Sequence, residues 1–137
     1  HYSNNHKGFC VGFDKNKIIN SGFVGSAGSV IYKDDYPTVD PISPNLVNEL
    51  FSKSHIKAKE WHYEEEFRVT NLWDVTPSEA DRVLKFHDDS IIEIILGLNI
   101  DKTSEADIMK HASLKSIPVF QIVRKSKSFR LDKVRVM

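Results

Sequence analysis

Alternating apolar and polar positions are clearest between Gly8 and Asp14. There Phe9, Val11 and Phe13 share one face of an extended chain, and Gly8, Cys10 and Gly12 share the other. The small face predicts a strand that lets another backbone or a ligand come close. Val30 to Tyr32 reads as a second, short strand closed by charged residues and Pro37. Lys59 to Thr70 reads as a third. With period two, Trp61, Tyr63, Phe67 and Val69 fall on one side, interrupted only by Glu65, and His62, Glu64, Glu66, Arg68 and Thr70 fall on the other. Aromatic and β-branched residues suit a half-buried strand. The nearly unbroken apolar run Ile91 to Leu96, stopped by Gly97, predicts a central buried strand. Ile117–Arg124 and Phe129–Val136 predict a hairpin joined by Lys125-Ser126-Lys127-Ser128.

Helical spacing occurs in two places. After the linker Pro37–Pro44, Ser43 as N-cap and Pro44 at the first position predict a helix with Leu46, Val47, Leu50 and Phe51 facing the core. Thr103 or Ser104 opens the other, with Ile108, Met109 and Ala112 inward. Thr76-Pro77-Ser78-Glu79 has capping-box spelling and predicts a single turn. Residues 20–29 read as loop, with Gly22, Gly25 and Gly28 serving turns or cradling a phosphate. Val83 to Phe86 fits helix or strand. The expectation is an α+β fold with a mixed or mainly antiparallel sheet and two or three helices, in a single domain over residues 1–137.

Composition narrows the class. The chain has 137 residues, 40% hydrophobic and 28% charged, as in a folded globular protein. Nineteen basic residues balance nineteen acidic ones, which disfavours non-specific nucleic-acid binding as the main activity. A single cysteine, Cys10, excludes an internal disulfide and points to a reducing, cytoplasmic setting. It reads either as a small packed side chain or as a nucleophile beside His6. No apolar run approaches the roughly 18 residues of a membrane span.

Three groups of residues can carry chemistry. Glu64, Glu66 and Arg68 lie in a row, with same-face neighbours roughly 6.5–7 Å apart on a strand. The row is either a salt-bridged sheet surface or the floor of an active site. Like charges raise one carboxyl pKa while Arg68 lowers it. Paired carboxylates suit cleavage at an anomeric carbon, where one stabilises an oxocarbenium-like centre and the other takes a proton. His1, His6, His62, Glu64 and Glu66 include acceptable metal ligands, but their spacing marks no known site and no metal is required. Arg124, Lys125, Lys127, Arg130, Lys133 and Arg135 stand against Asp132 alone. They can receive an acidic protein, a nucleotide phosphate or RNA, or they can guard a sheet edge. His55, His87 and His111 read as solvated or capping residues.

These residues resemble a bacterial family of unknown function. His1-Tyr2 followed by His6-Lys7-Gly8-Phe9-Cys10-Val11-Gly12-Phe13 is similar to its His-Tyr-Ala…His-x-Gly-Phe-Cys-Ile-x-Phe segment. Lys57 to Arg68 follows its Lys-x-x-x-Trp-x-Tyr-Glu-x-Glu-x-Arg motif, and Ile94-Ile95-Leu96-Gly97 its Ile-Ile-x-Gly element. Members carry an upstream Asn-Asp-Pro-Phe segment that is absent here. The resemblance therefore implies that this chain is the C-terminal part of a longer, here incomplete, domain. The layout is also distantly similar to ADP-ribosyltransferases. That implies NAD as substrate, Glu66 on the ribose and oxocarbenium, Glu64 activating a protein or nucleic-acid acceptor, and Arg68 beside them. His1, Tyr2 and His6 would line the cofactor. It further implies a role in phage defence or toxin conflict. The residues leave two alternatives: a non-catalytic binding or sensing module using the basic hairpin, or a metal-dependent nuclease or hydrolase on the same carboxylates with His1 or His6. No membrane partner is expected, and a truncated sheet would offer an exposed edge for a homodimer.

Overall fold

The computed structural model describes residues 4–22, 24–73, 76–83 and 85–137, so His1 and Tyr2 lie outside the described residues. The chain divides into two compact units, His1–Ile18 with Phe86–Met137, and Ile19–Lys85. Helices and a mixed sheet make the class α+β, as the sequence predicts.

The first unit holds a four-stranded sheet of β1 (Phe9–Phe13), β6 (Ile91–Leu96), β7 (Val119–Arg124) and β8 (Leu131–Arg135), in that order. β1 and β6 are antiparallel, with Cys10 opposite Ile95 and a register shift at Gly12/Phe13. β6 and β7 are parallel, bridged by helix α3 (Lys102–Leu114), and β7–β8 is the expected antiparallel hairpin. The apolar run therefore becomes an interior strand. Leu96, Val119, Ala112 and Ile117 form the buried core, and Ile91, Ile94, Ile100, Ile108, Met109 and Met137 pack on it. α3 starts at Lys102, one residue before Thr103, with Asp101 as its N-cap. The Asp101 carboxylate accepts from the N–H groups of Thr103 (3.1 Å) and Ser104 (2.9 Å), a stronger cap than a hydroxyl there. A short helix α1 (Lys15–Ile19) lacks a periodic signal and begins at Asp14, whose carboxylate accepts from Asn16 and Lys17 N–H.

The small face of β1 does admit a neighbour, and it is a side chain. A Cβ on Gly12 would lie 2.6 Å from Glu93 Cγ. At Gly97 a Cβ would overlap the carbonyl oxygens of His6 and Gly8. Those carbonyls accept from Asn99 N–H and Gly97 N–H, both at 2.9 Å, which fastens residues 6–8 across the end of β6.

The second unit contains β2 (Ser26–Ser29) antiparallel to β5 (Phe67–Thr70), and β3 (Ile31–Lys33) parallel to β4 (Ile56–Ala58). Helix α2 (Leu46–Ser54) and 3-10 helices at Lys59–Glu64 and Ala80–Arg82 complete it. Four expectations change here. Residues 26–29 are strand, not loop. Gly25 has the Phe51 ring 2.6 Å from where its Cβ would sit, and Gly28 faces His55, so these glycines make room for packing. Only Gly22, at φ 80°, serves a turn.

α2 begins at Leu46 with Asn45 as N-cap, because Ser43 and Pro44 form a turn in which the Ser43 carbonyl accepts from Leu46 N–H. Its stripe is only half covered, with Val47 58% exposed. The single turn at residues 80–82 is capped by Ser78 and Asp81, not by Thr76 and Glu79. The Ser78 hydroxyl and N–H both donate to the Asp81 carboxylate, and Asp81 N–H donates back to Ser78 Oγ.

The fourth change falls on Lys59–Thr70, which is not one strand. Six residues coil as 3-10 helix, Glu65 takes a left-handed φ of 47°, and strand begins at Phe67. The faces are also inverted. Trp61, Tyr63, Phe67 and Val69 are exposed, while Glu64, Glu66, Arg68 and Thr70 are half-buried.

Candidate functional site

Glu65 is the local cause of the site's geometry. Its left-handed backbone joins the 3-10 helix to β5, and the carboxylates of Glu64 and Glu66 on either side of it both meet the Lys57 ammonium. The Glu64 carboxylate accepts a close charge-assisted hydrogen bond from Lys57 Nζ, and Glu66 Oε2 lies 3.4 Å from the same nitrogen. Arg68 forks onto Glu66, Nε donating to Oε1 at 2.7 Å and Nη2 to Oε2 at 2.8 Å. Its Nη1 donates to the Ser54 carbonyl at the end of α2. A bidentate pair of this kind fixes the carboxylate plane as well as its charge. Lys57 Nζ also stands 4.9 Å from the centroid of the Trp61 ring, and Trp61 lies against Tyr63.

The backbone around the group is pinned by polar contacts. Glu66 N–H donates to Tyr32 Oη at 2.9 Å, and the Tyr32 ring meets His62 edge-on. His55 is buried at the C-cap of α2, where the sequence allowed a solvated or capping role. Its Nδ1 lies 2.8 Å from the Phe51 carbonyl oxygen and its Nε2 3.2 Å from that of Arg68.

At Glu66 the two opposing effects resolve in favour of the cations. Hydrogen bonding from Arg68, helped by its charge and by Lys57, holds the Glu66 carboxyl below the usual glutamate range against a smaller burial effect. The hydrogen bond to Glu64 holds the Lys57 ammonium above its ordinary value. Glu66 is thus a persistent anion, fit to stabilise positive charge and a poor acceptor of protons. Lys57 also lines a cleft of about 320 Å³, with Lys33, Asp34, Asp35, Tyr36 and Glu60, so that two ammonium groups stand against three carboxylates.

The structure thus brings Glu64, Glu66 and Arg68 together. It adds Lys57, Tyr32 and the Ser54 carbonyl, which the sequence reading did not single out as site residues. His1 and Tyr2 lie outside the described residues. His6 belongs to the first unit, where its side chain is exposed, its φ is 62° and its carbonyl serves Asn99. Cys10 is exposed, not packed. Among the described residues no three His, Cys, Asp or Glu side chains form a metal-ligand group, and no helix is long and apolar enough to cross a membrane.

The fold and this site define an α+β protein with a half-buried acidic pair locked between a lysine and an arginine. Residues 1–69 match the model of DUF2971, a family of proteins of unknown function, and the chain belongs to that family. The match ends one residue beyond Arg68. No curated protein and no solved structure matches the chain.

Proposed function

We propose that Lys57, Glu64, Glu66 and Arg68 form the catalytic centre of an ADP-ribosyltransferase-like enzyme that uses NAD. One observation carries the reading: Lys57 is shared between the carboxylate pair and the adjoining cleft. Glu64, Glu66 and Arg68 do not line the cleft, so a nucleotide bound there would reach them only past Lys57. Lys33 and Lys57, set among Asp34, Asp35 and Glu60, are the cleft's cations for a pyrophosphate, and exposed Tyr36 offers a ring face to a base. The bond from the ribose anomeric carbon to the nicotinamide nitrogen breaks with its electron pair leaving on neutral nicotinamide. Glu66, held ionised by Arg68, stabilises the resulting cation. Glu64 takes the proton of an attacking protein or nucleic-acid acceptor once Lys57 swings towards the cleft. The setting this reading implies, a bacterial cytoplasm and phage defence or toxin conflict, follows from the family resemblance.

The test is nicotinamide release from NAD by the intact chain, with label transfer to cell extract, beside Glu66→Gln. Removing the charge while keeping the shape is expected to lower the rate roughly 10²–10³-fold. The circular dichroism spectrum should be unchanged. Wild-type protein that neither releases nicotinamide nor transfers label would end the proposal.

A further inference from the structure

β8 is the outer strand of the four-stranded sheet, and every residue from Leu131 to Arg135 is exposed. Its register tells which backbone groups are unused. Lys125 N–H donates to the Arg130 carbonyl and Val136 N–H to that of Val119, with Gln121 opposite Val134 and Val123 opposite Asp132. In an antiparallel ladder this parity turns the amides and carbonyls of Asp132 and Val134 towards β7. Those of Leu131, Lys133 and Arg135 point outward, and among the described residues no strand pairs with them.

The charge along this edge is mainly positive. Lys133 is tethered, 2.7 Å from Glu93 and over the Phe120 ring, and Arg135 Nε donates to the Met137 carbonyl. Arg124, Lys125, Lys127 and Arg130 have no ion pair among the described residues, and Asp132 is the only acid in the tract. In a symmetric antiparallel pairing of two copies centred on this strand, the two Lys133 side chains would oppose each other, which is repulsive. A strand rich in glutamate would not suffer that cost.

We propose that the open edge of β8 receives an acidic, extended peptide segment as a fifth strand of this sheet. Hydrogen bonds to Leu131, Lys133 and Arg135 supply the docking ladder, and Lys133, Arg135 and the cations at the hairpin tip favour glutamate or aspartate in the segment. The lysines that prevent the edge from pairing with itself thus become its specificity determinant. Phosphate backbones would use the same charge but leave the amide ladder empty, which is why a peptide fits better than RNA.

The probe is a fluorescein-labelled Glu-Val-Glu-Val-Glu-Val peptide added to the intact chain and followed by anisotropy. Binding should weaken as salt rises and be absent for the Lys-Val-Lys-Val-Lys-Val counterpart. Methylating alternate peptide amides removes ladder donors without touching charge, and should weaken binding at least about tenfold. Leu131→Pro, which deletes one outward N–H at the start of an edge strand, should do the same. Several results would overturn the proposal: no binding of the acidic peptide, equal binding of the methylated peptide, or binding of oligouridylate with none of peptide. A dimer in sedimentation that Leu131→Pro dissociates would do so too, by assigning the edge to a second copy.

Discussion

The two units are ordered by different chemistry. In the first, Leu96 and Val119 are wholly excluded from water, and a ring of isoleucine and methionine closes over them. In the second, Val30 and His55 are the only buried residues among those described, and two-stranded ladders are joined by Tyr32, His55, Lys57, Glu66 and Arg68. An apolar core is indifferent to salt and mild acid, whereas half-buried ion pairs depend on both. The unit carrying the candidate chemistry is therefore the one whose order is conditional. Sites that must admit a ligand are commonly drawn from the less stable part of a fold.

Substitutions separate the two regimes, and the tryptophans help, since Trp61 and Trp73 both lie in the second unit. Leu96→Ala should have the largest effect, a loss of about 2–5 kcal/mol in urea denaturation followed by circular dichroism. Arg68→Ala removes the fork on Glu66 and its bond to the Ser54 carbonyl. It should cost roughly 1.5–3 kcal/mol, seen in tryptophan fluorescence and in faster amide exchange in β2 and β5. If Arg68→Ala instead loosened the first unit equally, the contrast between the units would fail.

Thr70→Val should act in the opposite direction. Thr70 Oγ1 is buried without a hydrogen-bond partner, so replacing it with a methyl group is expected to stabilise by about 1 kcal/mol. Acid should have the smallest effect. Because Arg68 lowers the native pKa of Glu66, the contribution of this group is complete above the ordinary glutamate range and disappears as pH falls through the lowered value. Tryptophan fluorescence in a pH series should therefore shift below that range. An Arg68→Ala chain should respond at higher pH.

Legibility in the sequence follows the range of the interactions. β6, the hairpin of β7 and β8, and the apolar face of α3 were legible because their signals are contiguous and periodic. β2 was not, since Ser26-Ala27-Gly28-Ser29 has little strand preference and exists through pairing with Phe67–Thr70, far along the chain. In the motif, charge at alternate positions reads as a solvated face, yet Glu64, Glu66 and Arg68 are the half-buried side. Lys57 and Arg68 supply the counter-charge that makes such burial tolerable. The acidic pair and its arginine could be grouped from sequence. Tyr32 and the Ser54 carbonyl could not, because they join Glu66 and Arg68 across 34 and 14 residues, on other elements that local periodicity does not link to β5.

Because β1 pairs with β6, the second unit is inserted in sequence between two strands of one sheet. During synthesis Phe9–Phe13 emerges before its partner strand is made. It must wait for Ile91–Leu96, roughly eighty residues later, on the order of 4–16 s at ordinary ribosome speeds. Ile19–Lys85 is finished within that interval. Vectorial translation thus gives the conditional unit its chance to fold before the apolar one can close. It also leaves an unpaired phenylalanine-bearing strand exposed to chaperones for several seconds in every nascent copy.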